Sequence, residues 1–128
     1  MESIVFTKSP NTIVTIGVLS YEHIAMLLKN TPTDCTISAY HCREDKILLN
    51  LKEKFKEFPG ISVEYGDRNW LDNIIMGNVD IIHSNVEINP SKFINLLSRK
   101  GIIVLEDINI PITDFKSIRM GNLTLIKE

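Results

Sequence analysis

Five apolar runs rich in β-branched residues recur along this chain, the first four each giving way to a segment with helical spacing, and only the C-terminus breaks the rhythm. Ile4 to Thr7 is predicted as a short opening strand, stopped by Ser9-Pro10. "TIVTIGV" (12–18) is apolar and β-branched, as a strand covered on both faces should be. Ser20 follows as an N-cap, with Glu22 in the first turn where the helix dipole favours an acid, and Ile24, Leu27 and Leu28 form one apolar stripe. "CTISAY" (35–40) is the next strand. Glu44 to Phe58 is the clearest helix, with Ile47, Leu48, Leu51, Phe55 and Phe58 on one face and Pro59-Gly60 at its end. The series continues with "ISVEYG" (61–66), a short helical segment over 68–76, and "VDIIHS" (79–84). A helix is then predicted from Asn89-Pro90 to Lys100-Gly101, with Phe93, Ile94 and Leu97 inward, followed by "IIVLED" (102–107).

Two strand-like runs, "FKSIRM" and "NLTLIKE", close the chain with only Gly121 between them. So short a link permits a hairpin and forbids a parallel crossover. The expected fold is therefore α/β: a single domain over 1–128 with a Rossmann-like, doubly wound, mostly parallel sheet. Helices cover both faces, and the C-terminal hairpin strand, 122–127, runs antiparallel to 115–120. Hydrophobic residues at 44% and charged residues at 23% suit an ordinary globular domain. A net charge of −2 offers no basic surplus, so nucleic acid is not indicated. No apolar run approaches the ~18 residues of a membrane span. The start, MESIVFTKSP, lacks the charged and apolar regions of a signal peptide. Cys35 and Cys42 match no zinc spacing. A cytoplasmic protein with free thiols is expected.

Several short stretches together resemble the class I S-adenosylmethionine-dependent methyltransferases, from about Thr12 to Glu128. "TIVTIG" is similar to the family's first strand and leading glycine, and "YGDRNWL" to the Gly-Asp after strand three. "VDIIHSN" resembles strand four with its opening Asp80 and a polar residue at its carboxyl end. "LLSRKGIIVLEDI" resembles the turn into strand five, and "FKSIRMGNLTLIKE" the terminal hairpin. The chain departs from the pattern in its first turn. Thr15 stands where the family carries an acid, and Leu19 and Tyr21 stand where two further glycines would let backbone approach the cofactor. Tyr40-His41 replaces the ribose-binding acid at the end of strand two.

The resemblance implies S-adenosylmethionine as the cofactor, held by Gly17, His41, Asp67 and Trp70. Each of these residues also has a structural reading. Gly17 is a turn residue, His41 an exposed loop histidine, Asp67 a helix cap, and Trp70 core filler. Asn85 begins where amino-methylating relatives carry Asn-Pro-Pro-Tyr, but Val86, Glu87 and Ile88 replace the remainder. Asn85 and Glu87 are the catalytic candidates, Glu87 as a base or else a solvated loop carboxylate. Asn85, Glu106 and Asp107 are each offset from the magnesium set of catechol-type relatives, so no metal is expected.

The expected function is that of a methyltransferase-like protein with weak or lost cofactor binding. The alternatives are a non-catalytic scaffold or subunit of the same fold and a nucleotide-binding regulatory domain, whose last strand is parallel. At 128 residues the chain is small for recognising both cofactor and substrate. A homodimer or a larger protein partner, covering the edge near "INIPITDF" (108–115), is expected to complete it.

Overall fold

Ile13 faces one side of the first strand, and Val14 and Ile16 the other, all at most 2% exposed, so this strand needs neighbours and cover on every side. In the computed structural model, which describes residue 4 and residues 10–66, 77–108 and 115–127, it takes the interior of the sheet. The strands are β1 (Thr12–Gly17), β2 (Thr36–His41), β3 (Ile61–Tyr65), β4 (Val79–Ser84), β5 (Leu97–Glu106), β6 (Lys116–Met120) and β7 (Leu123–Lys127). The helices are α1 (Tyr21–Asn30) after β1, α2 (Lys46–Phe55) after β2, and the single turn α3 (Pro90–Phe93) before β5.

The seven strands lie in the order β3-β2-β1-β4-β5-β7-β6. β1 pairs parallel with β2 and β4, β2 with β3, and β4 with β5, while β7 runs antiparallel to both β5 and β6. One face carries Ile13, Ile37, Ile81 and Val104 beneath Leu27 of α1, and continues into Leu19, Ile24, Leu48, Leu51 and Phe55 between α1 and α2. The other face carries Val14, Ile16, Ile82, Ile103, Leu105 and Ile126 against Phe93 and Ile94. Ser20 caps α1 by accepting from the His23 N–H at 3.2 Å, and Asp45 caps α2 by accepting from the Leu48 N–H at 3.1 Å.

Asp80 joins three segments at the amino ends of the strands. Its carboxylate accepts from the Asn11 N–H at 2.7 Å and from the Ser98 hydroxyl at 2.5 Å. Burial pushes its pKa up, but these bonds outweigh burial and hold it below the usual carboxylate value.

Three sequence expectations change. Ile4, expected to open a strand, is helical. The helix predicted over 44–58 is confined to Lys46–Phe55, because Asp45 takes the capping position. The helix predicted up to Lys100 ends early. After α3 comes one 3₁₀ turn, Ile94–Leu96, and β5 begins at Leu97. The strand wins there because Leu97 pairs with Val79 across an irregular register and Ser98 is tied to Asp80. Gly101 is then a point of close approach: a Cβ on it would lie 2.6 Å from the Val79 carbonyl oxygen and 3.0 Å from Leu97 Cβ. The segment predicted as helical over 68–76 lies outside the described residues.

Gly101→Ala is expected to push β5 off β4 and to destabilise the fold by about 1–3 kcal/mol, as overpacking does. A denaturant titration checks this, and the midpoint should fall with an unchanged slope.

Candidate functional site

From β1 the chain winds outward through β2 to β3, and from β4 it winds the other way to β5. The reversal makes a crevice at the carboxyl ends of β1 and β4, the place where open α/β sheets receive ligands. In this chain a side chain bridges it. Asn85, just after β4, accepts from the Val18 N–H through Oδ1 and donates from Nδ2 to the Val18 carbonyl, both at 2.9 Å. The Asn85 N–H also donates to the Ile16 carbonyl at 3.1 Å. Gly17 makes room for this hold. Its φ of 135° disfavours any side chain, and a Cβ there would lie 1.8 Å from Asn85 Oδ1.

A second side chain fixes the far side of the same turn. His41, last residue of β2, is fully buried. Its Nδ1 accepts from the Leu19 N–H at 3.1 Å, which leaves the ring proton on Nε2, 3.1 Å from Asp45 Oδ1. The turn after β1 is thereby pinned from β4 by an amide and from β2 by an imidazole. Leu19 is buried in the core beside Ile24 and Leu48, and Tyr21 stacks on Phe55 at 5.4 Å between ring centroids. Neither side chain lies over Gly17; Asn85 does.

Beneath the crevice, on the α1 face of the sheet, lies a buried polar cluster. Thr15 and His83 are register partners on β1 and β4, and both are fully buried. The Thr15 hydroxyl lies 2.8 Å from His83 Nδ1 and 2.9 Å from His23 Nε2 on α1. His83 Nε2 lies 2.7 Å from Glu106 Oε1 at the end of β5. The two imidazoles pack with centroids 4.5 Å apart. With both rings neutral, the donors run in one direction: His23 Nε2–H to Thr15, Thr15 O–H to His83, and His83 Nε2–H to Glu106. Burial, reinforced by the neighbouring His83 and partly offset by Glu106, pulls the His23 pKa down to about 4. The hydrogen bond from His83, working against desolvation, holds Glu106 below the usual carboxylate value.

Several solved structures share this architecture. A methyltransferase from Geobacter sulfurreducens matches with a TM-score of 0.75 at 11% identity, over 98% of this chain and 73% of that one. A SAH-bound methyltransferase from Podospora anserina matches with a TM-score of 0.74 at 16% identity, over 98% of this chain and 75% of that one. The chain has a class I methyltransferase-like fold. A SAM-dependent O-methyltransferase from Thermotoga maritima also matches, with a TM-score of 0.67 at 12% identity, over 98% of this chain and 64% of that one. At such identities the likeness is one of fold. No protein-family model and no curated protein sequence matches this chain.

Within the methyltransferase-like fold, the candidate residues separate. Gly17, His41 and Asn85 converge on the first turn, where Asn85 lies over Gly17 and holds Val18 while His41 holds Leu19. His41, read from sequence as either a ribose ligand or an exposed loop residue, is a fully buried clamp. Glu87 is exposed on the loop after β4. Asp67 and Trp70 lie outside the described residues. The oxygen-rich set is dispersed: Asn85 is held by Val18, Glu106 by His83, and Asp107 accepts from the Asn122 side chain at 3.1 Å. Among the described residues no three His, Cys, Asp or Glu side chains gather as a metal site. Nor is any helix of the described residues long and apolar enough to cross a membrane.

The buried cluster was not foreseen from the sequence. Its signal was one polar residue inside each of two apolar runs, Thr15 in "TIVTIG" and His83 in "VDIIHS". Strand pairing brings the two side by side.

The cluster predicts acid sensitivity with a definite sign. His23 binds a proton near 6.5 when unfolded and near 4 when folded. The unfolded chain therefore takes up the proton first, and stability, complete above about pH 7, falls as pH drops from 6.5 toward 4. The drop approaches about 3 kcal/mol at about 1.4 kcal/mol per pH unit. In urea titrations across this range, His23→Gln, which retains a donor to Thr15, should flatten the decline above pH 4.5.

Proposed function

We propose that this chain is a methyltransferase-fold domain whose cofactor crevice is held shut by its own side chains, and that it serves as a non-catalytic scaffold or subunit with weak or no affinity for S-adenosylmethionine. The observation that carries this reading is the hold of Asn85 on Val18 over Gly17. The space that a glycine leaves for an approaching ligand is taken by an amide of the same chain.

The rest of the described crevice supports it. A ribose needs an acceptor for two hydroxyls at the end of β2, and the residue there, His41, has both ring nitrogens engaged within the fold. Every buried side-chain nitrogen and oxygen among the described residues has a partner within the fold. These residues do not fit the cofactor as they stand, and a bound molecule would first have to displace Asn85. Two lost hydrogen bonds of ~1 kcal/mol each weaken a ligand by about thirtyfold. The SAH-bound state of the Podospora protein favours the enzyme as second reading. In that reading Asn85 swings aside on binding and Asn85 and Glu87 face the acceptor.

Calorimetric titration with S-adenosylmethionine, S-adenosylhomocysteine and adenosine separates the two. The closed reading expects the whole cofactor to bind about thirtyfold or more above the micromolar range or not at all, adenosine to be tolerated better, and a gain of about tenfold or more in Asn85→Ala. Micromolar binding by the native chain, abolished by Asp67→Ala, would restore the enzyme.

A further inference from the structure

β6 is the last strand of the sheet, and all five of its residues are exposed. Ile118 and Met120 are 65% and 52% exposed, on an edge where an unpaired strand invites another chain. Which of its backbone groups are unpaired follows from the ladder beside it. The Asp107 N–H donates to the Asn122 carbonyl at 2.9 Å, so residue 122, and with it 124 and 126, point their backbone groups toward β5. Residues 123, 125 and 127 then bond toward β6, where they face Met120, Ile118 and Lys116. Gly121 and Asn122 close this ladder as a two-residue turn. Among the described residues, the N–H and C=O groups of Ser117 and Arg119 are left pointing away from the sheet.

We propose that two copies of this chain associate by pairing β6 with β6, antiparallel, about a two-fold axis at Ile118. In this register Ser117 of each copy faces Arg119 of the other, and these are the residues with outward donors and acceptors, so each pair closes two backbone hydrogen bonds. Ile118 then meets its own copy as a non-hydrogen-bonded pair, where side chains approach most closely, with Cα atoms about 4.5 Å apart. Beside it on the same face lies the partly buried Leu125, so the apolar row continues across the axis. Lys116 faces Met120, and no like charges stand opposite one another. Sliding the register by two residues one way sets Arg119 against Arg119. Sliding it the other way leaves only three residues of each strand paired. Backbone pattern, apolar exposure and charge thus all fit a second copy paired in this one register.

Sedimentation of the full chain at ~1–100 µM, spanning ordinary association strengths, tests this. A dimer is expected, and a clean monomer at the highest concentration overturns the proposal. Ser117→Pro removes an outward N–H that β7 does not use, and Ile118→Lys sets two charges against each other on the axis. Each should weaken the dimer by about tenfold or more while leaving the thermal midpoint of the monomer nearly unchanged. A dimer that survives both variants uses another surface, and the proposal fails. Should either variant not fold, hydrogen exchange on the native chain decides: the Ser117 and Arg119 amides must slow as concentration rises, and concentration-independent exchange refutes the pairing.

Discussion

The two hydrogen bonds between the Asn85 side chain and the backbone of Val18 set the character of this molecule. They join the carboxyl ends of two neighbouring parallel strands from which the chain winds in opposite directions. Gly17 is required by that contact, since no other residue has both its backbone angle and the clearance beneath Asn85. His41 holds the same turn from the other side, and through Asp45 it is tied to the start of α2. The first turn is thus built from satisfied polar groups rather than from open backbone.

Beneath this turn the sheet gives up apolar volume to hold Thr15, His23 and His83. Buried polar groups of this kind are tolerated only when fully partnered, and here each one is, with Glu106 ending the chain at the surface. Register makes this possible. Thr15 and His83 are directly opposed on β1 and β4, and a shift of one residue would turn both to the wrong face.

Much of the fold was legible because it rests on local pattern. The β-branched runs, the caps at Ser20 and Asn89, and the short link at Gly121 each act within a few residues. The helix predicted across residues 97–100 failed for a non-local reason. Leu97, Ser98 and Gly101 answer to Val79 and Asp80 on another strand, and pairing overrode a helical pattern. The candidate site was legible in part. Gly17, His41 and Asn85 were singled out and do meet at the first turn, but Asn85 holds Val18 there and His41 holds Leu19. Single-residue reading cannot see that an asparagine 68 positions away will occupy a glycine's space. Nor could it join Thr15 to His83, whose contact spans 68 positions.

The strand order also bears on how the molecule is made. β1 lies between β2, which follows it closely, and β4, which is reached only at residue 79. As a chain emerges from synthesis, β1 with β2 and β3 makes a three-stranded half-sheet whose inner border is bare along Ile13 to Ile16, the stretch that β4 later covers. That border carries Ile13, Val14 and Ile16, all buried in the finished sheet. For that interval the nascent chain depends on shielding by helpers or on the speed of the next segment's arrival.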